Sequence, residues 1–105
     1  MTAKTRKQQL EEMLAEDPND PFLRYGLAME HVSAGDLDAA VRGFRELFAV
    51  APDYVPAYLQ AGQVLARLGR AAEARDVLRQ GMAVAARQGD EHARGEMEGL
   101  LDSLE

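Results

Sequence analysis

The chain has 105 residues, 47% of them apolar and 6% aromatic, with no cysteine and a formal charge of −6. That length supports one small domain, and the apolar share argues against disorder. The missing cysteine removes disulfides, thiolate metal sites and thiol nucleophiles and fits a reducing compartment, while the acidic balance argues against nucleic acid as a partner.

Helical period runs through the whole sequence. In residues 5–16, Leu10, Met13 and Leu14 recur at i, i+3, i+4, which places them on one face. Asp17-Pro18-Asn19-Asp20-Pro21 then stops the helix, because Pro18 disfavours helical backbone at Asp17. Asp20 is placed as an N-cap with Pro21 in the first helical position. The next helix, 21–34, carries Phe22, Tyr25, Leu27, Ala28, Met29 and Val32 on more than one side and ends at Gly35. Asp36 caps a helix over 37–50, whose buried stripe is read as Ala40, Val41, Phe44, Leu47 and Phe48, and Pro52 ends it. A fourth helix opens at Val55 or Pro56, carries Tyr58, Ala61, Gly62, Leu65 and Leu68, and stops at Gly69. The fifth, 71–87, turns Ala74, Val77, Leu78, Met82 and Val84 or Ala85 inward, and Gln88-Gly89-Asp90 breaks it. The last, 91–104, shows Ala93, Met97, Leu100, Leu101 and Leu104 between acidic residues. No segment alternates as a strand does, so the reading is six helices and no sheet.

Charge is spread unevenly, −2 over residues 1–20, −1 over 21–52, +2 over 53–89 and −5 over 90–105. The one basic zone, Arg67, Arg70, Arg75, Arg79 and Arg87, reads as a solvated helix surface rather than a docking patch. No apolar run approaches the roughly 20 residues that cross a bilayer. The cations of residues 1–7 lack the apolar stretch of a secretory leader. No membrane association and a cytoplasmic location are therefore expected.

A spacing of 34 residues links the middle helices. Gly35 recurs as Gly69, Ala40 as Ala74, Phe44 as Leu78, and Ala39-Ala40 is echoed by Glu73-Ala74. Fixed-period self-similarity means one helical unit copied and stacked, since a lone unit cannot bury its apolar face. With Leu27-Ala28, the Gly35-Asp36 turn, Ala40, Phe44, Leu47 and Pro52-Asp53, the segment 21–54 resembles the helix-turn-helix motif of tetratricopeptide repeat proteins. The segment 55–88 is similar through Tyr58, Ala61-Gly62, Leu65, Gly69, Ala74 and Leu78.

The resemblance implies an all-α, right-handed α-solenoid of antiparallel helix pairs in a single domain over 1–105. Residues 5–20 would be a half-repeat helix, 21–54 the first repeat, 55–88 the second, and 90–104 a capping helix with an acidic outer face. Four departures stand out. Arg24 replaces a bulky apolar residue, His31 replaces a favoured Tyr, Gly81 replaces Ala, and Ala86 stands where the closing Pro would be. Gly95 and Gly99 fall where packed residues are expected.

In this family the first helices of successive units line a concave groove for a peptide or a helix. Carried over by position, the groove would be built from Phe22, Tyr25, Met29 and Val32 of the first unit and Leu59, Gln63, Ala66 and Arg67 of the second. Aromatic and Met side chains in an exposed apolar patch favour a protein or peptide partner. The competing reading has them packed against the N-terminal helix or one another, with Phe22 the most core-like. Members that clamp a carboxylate tail use Lys and Asn where this chain has Tyr25, Met29 and Gln60, so no such clamp is expected, and Arg94 alone does not make one. The resulting expectation is a non-catalytic protein-interaction module. The alternative is a homodimer or higher oligomer formed through the same groove.

Nothing points to catalysis, a metal or a cofactor. His31 and His92 lack two-His metal spacing, and Asp17–Asp20 lacks the glycine and distal Glu of a calcium loop. Ser33 and Ser103 have no readable base, and no glycine-rich phosphate loop occurs.

Overall fold

Short polar breaks and three glycines set every helix boundary. The computed structural model describes residues 3–104, and among them all regular structure is helical. The elements are α1 (Arg6–Glu16), α2 (Pro21–Ser33), α3 (Leu37–Val50), α4 (Val55–Arg67), α5 (Ala71–Gln88) and α6 (Glu91–Ser103). Each end lies within one residue of the bounds expected from the sequence. The chain divides into two compact units, one ending at Ala51 and the other beginning at Pro52.

Cap chemistry accounts for the starts. Thr5 accepts from the Gln8 amide at 3.1 Å, and Gln8 Oε1 accepts from the Thr5 amide at 2.9 Å, a reciprocal capping box that opens α1. Asp20 accepts from the amides of Phe22 (2.9 Å) and Leu23 (3.2 Å), with Pro21 opening α2 as expected. Asp90 does the same for α6 through the Ala93 amide at 3.0 Å. Gly35 and Gly69 end α2 and α4 with φ of 77° and 75°, a region costly for any residue with a Cβ. At each, the following amide reaches back to close the helix end, Asp36 to the His31 carbonyl and Arg70 to the Leu65 carbonyl, both at 2.9 Å.

In the first unit α3 packs along α2, and α1 lies against α2. Ala40, Val41, Phe44 and Leu47 of α3 are buried, and a Cβ on Gly43 would sit 3.3 Å from that of Ala28, so small residues set this helix spacing. Of the α1 stripe only Leu10 is buried, resting against Gly26, whereas Met13 is 51% exposed and Leu14 half-buried. A single neighbouring helix covers one row of α1, and that row is Leu10.

In the second unit α5 packs against both α4 and α6, and α4 touches α6. Val55, Ala57, Tyr58, Ala61, Val64 and Leu65 of α4 are buried against a core that includes Ala74, Val77, Leu78, Val84 and Ala85 of α5 and Met97 and Leu101 of α6. Gly81 is required here. A Cβ in its place would collide with the Tyr58 Cβ and the Met97 sulfur. The Tyr58 hydroxyl donates to the Pro52 carbonyl at 2.6 Å. Burial pushes this phenol above its ordinary range, Asp53 adds to the rise, and Arg87 opposes it.

Gly95 and Gly99, which fall where the family pattern packs residues, lie on open surface here: a Cβ on either would meet nothing within 4 Å. The cause is one extra turn. Pro52 ends α3, but Ala86 at the corresponding place lets α5 continue to Gln88. Helix α6 then begins two residues later than the 34-residue spacing would start it, and Met97 and Leu101 take the inward positions.

We predict that Gly81→Ala lowers the urea midpoint, since overpacking costs about 1–3 kcal/mol against a helix-propensity gain of about 1 kcal/mol. Gly95→Ala, on the open face, should instead raise stability by up to about 1 kcal/mol. Tyr58→Phe should cost about 1 kcal/mol at neutral pH through the lost hydrogen bond. Because the folded phenol holds its proton more tightly than the unfolded one, the wild type should lose stability as pH rises above about 10. The Phe variant, followed by urea unfolding at neutral and alkaline pH, should lose less over that range.

Candidate protein-interaction site

Helix α2 divides its residues into rows with different tasks. Gly26 receives Leu10 of α1, and Glu30 pairs with Arg6 at 3.6 Å, so one row faces α1. Ala28 meets Gly43 of α3 on a second row. Phe22, Tyr25, Met29 and Val32, spaced i, i+3, i+7, i+10, form a third row. Phe22 is 67% exposed, and the other three are half-buried. The Tyr25 ring tilts against Phe44 at 6.3 Å between centroids and 52° between planes, which anchors the middle of this row to the core.

The expectation that Phe22 is the most core-like of these residues is therefore corrected. The buried neighbour is Leu23, 7% exposed. With Asp20 fixing the helix start, the next-door position turns inward and Phe22 turns out. Residue type alone could not separate two adjacent apolar side chains, but the register set by the cap does.

In the second unit the corresponding row lies on α4. Leu59 and Ala66 are half-buried, and Gln63 and Arg67 are exposed. This row is more polar than that of α2.

The remaining candidates are engaged elsewhere. Arg94 is held between Glu91 (2.9 Å) and Glu98 (2.7 Å) on its own helix. His92 lies 3.0 Å from Glu96 on the exposed side of α6. Asp20 is occupied as a cap, and Arg24 Nε donates to the Pro18 carbonyl at 2.6 Å, so the 17–20 segment is a pinned linker. The Ser103 hydroxyl donates to the Leu100 carbonyl at 2.6 Å, and Ser33 is exposed at the end of α2. Among the described residues no group of three or more His, Asp or Glu side chains could hold a metal ion, and no helix is long and apolar enough to cross a membrane.

Comparison with known proteins agrees with this architecture. The profile of the tetratricopeptide repeat family matches residues 31–95. A TPR repeat-containing protein of Pseudomonas aeruginosa is 33% identical over 96 residues, covering 91% of this chain and 91% of that protein. The solution structure of a tetratricopeptide repeat domain protein from Salinibacter ruber is 36% identical, covers 83% of this chain and 88% of its own, and gives a TM-score of 0.77. PcrH, solved in complex with the chaperone-binding region of PopD, has the same fold at 17% identity, with a TM-score of 0.87 over 93% of this chain and 74% of its own. Sequence and architecture thus converge on an all-α chain of the helical-solenoid class, and the protein belongs to the tetratricopeptide repeat family.

Proposed function

We propose that this protein is a non-catalytic interaction module, and that the outward row of α2 is the main contact for an apolar segment of a partner protein. The observation that carries the reading is the exposure of Phe22 at 67%, continued along one helix face by half-exposed Tyr25, Met29 and Val32. An aromatic side chain left in water is unfavourable unless something covers it, and aromatic and Met side chains are common anchors of binding surfaces. Two of the four, Tyr25 and Met29, stand where a carboxylate clamp would need polar side chains, so the preferred partner is an amphipathic helix or a short apolar stretch. Leu59, Gln63 and Arg67 on α4 supply a second, more polar contact, with Arg67 favouring an acidic group on the ligand. Support from outside the chain comes from PcrH, a protein of the same fold that holds a segment of PopD.

The same exposed Phe22 also favours a second reading, self-association of two copies through this row. Light scattering across a concentration series separates the two. A monomer at every concentration excludes self-association. A dimer dissociated by Met29→Glu would establish it.

For the principal reading, affinity capture from the source cell followed by mass spectrometry should return a protein partner. Met29→Glu and Leu59→Glu should each weaken its binding by about tenfold or more while the helical circular dichroism is unchanged. Undiminished binding by both variants would show the contact to lie elsewhere.

A further inference from the structure

Helix α1 is held far more lightly than its counterpart in the next repeat. By the 34-residue spacing, Leu10 and Met13 match Phe44 and Leu47 of α3, and Arg6 and Lys7 match Ala40 and Val41. All four α3 residues are buried, whereas of the α1 set only Leu10 is. Two cations thus stand where core residues would be, and charged side chains there disfavour cover by a further apolar helix.

The attachment of α1 to α2 rests on Leu10. Both Leu10 methyls rest against Gly26, where an added Cβ would come within 3.4 and 3.5 Å of them. Half-buried Leu14, one turn on, lines the same cleft as Leu27 of α2. Arg6 pairs with Glu30 at 3.6 Å, but its side chain is 63% exposed, and exposed pairs contribute little. The Thr5 capping box and the Lys4–Glu12 pair are internal to the segment and hold nothing to α2. An 11-residue helix is marginal in water on its own, so α1 melts as one piece once Leu10 leaves Gly26.

The linker that follows is fastened differently. Arg24 Nε donates to the Pro18 carbonyl at 2.6 Å, and Asp20 caps α2. The second unit makes the same pin with another group, the Tyr58 hydroxyl on the Pro52 carbonyl. Arg24 and Tyr58 lie 34 residues apart, as do Pro18 and Pro52, so the pin recurs while its chemistry changes. Residues 18–20 therefore stay on α2. The freedom falls to Asp17, whose backbone at φ −138° and ψ 76° already lies outside the helix.

We propose that α1 is a releasable strap: it leaves α2 as a unit, pivoting at Asp17, while the other five helices stay folded, and its departure uncovers a leucine-sized seat at Gly26. Gly26 follows Phe22 by four residues and precedes Met29 by three, so the seat adjoins the outward row on the helix surface. Docked, α1 borders that row. Released, it leaves the row wider by one apolar seat. The strap is a property of α1 and α2 alone and does not depend on what the outward row binds.

The test is native-state hydrogen exchange on the full ¹⁵N-labelled chain in rising, sub-denaturing urea. The amides of Leu10 to Glu16 should share one exchange free energy that low urea leaves nearly unchanged. After correction for intrinsic rates they should exchange at least about a hundredfold faster than those of Phe44 to Leu47. Leu10→Ala should speed exchange in α1 by about tenfold or more. Gly26→Leu fills the seat, and the three atoms nearest an added Cβ there all belong to α1. That variant should lose protection across α1 and keep it in α3 and α5. One exchange free energy and one urea slope common to α1 and α3 would overturn the proposal. So would protection that rises steadily from Leu10 to Glu16, which is fraying from one end, or loss of α3 protection together with α1 in the Gly26→Leu variant.

Discussion

Two helices approach closely only where neither carries a long side chain at the crossing, and this chain meets that condition in both of its units. Ala28 faces Gly43 between α2 and α3. Gly62 lies under Leu78, and Gly81 lies under Tyr58 and Met97. Each crossing lets the large residues beside it, Phe44 and Leu47 in one unit and Leu65 and Leu78 in the other, interlock at near-zero exposure. Once the crossing rows are committed to packing, the other rows of α2 are left to cover α1 or to face outward. Which side chains of α2 face outward is thus a by-product of where the small residues fall.

Much of this was legible before any coordinates. Prolines and glycines at Pro18, Pro21, Gly35, Pro52, Gly69 and Gly89 act through local backbone chemistry that does not depend on tertiary context, so the helix boundaries could be read directly. The 34-residue spacing made Ala40, Ala74, Phe44 and Leu78 recognisable as core, and all four are fully buried. Failures occurred where a residue's fate depends on what lies opposite it. Phe22 and Leu23 are both large and apolar, and only the cap register separates them. Gly95 and Gly99 fit the family pattern poorly because the 34-residue spacing does not hold past Gln88, where one missing proline has shifted it. Gly81, which replaces the Ala of the family pattern, is the position where three helices meet.

The two units use one scaffold with different outer chemistry. Along the outward row, Phe22, Tyr25, Met29 and Val32 correspond by spacing to Pro56, Leu59, Gln63 and Ala66. The first unit therefore carries the more apolar outward row and the second a more polar one. The same asymmetry runs inside, where Arg24 and His31 stand in place of Tyr58 and Leu65. Both differences spare the turn glycines Gly35 and Gly69 and the buried pairs Ala40/Ala74 and Phe44/Leu78, so side-chain chemistry differs from unit to unit while these positions stay fixed.

The extra turn of α5 also fixes which residues of α6 can serve the core. Ala61 and Leu65 of α4 would repeat at 95 and 99, where glycines stand. Displaced by two residues, α6 presents Met97 and Leu101 instead, and both are buried. A single change from Pro52 to Ala86 thus moves the inward register of the next helix by two residues, and the side chains that fill the core have moved with it.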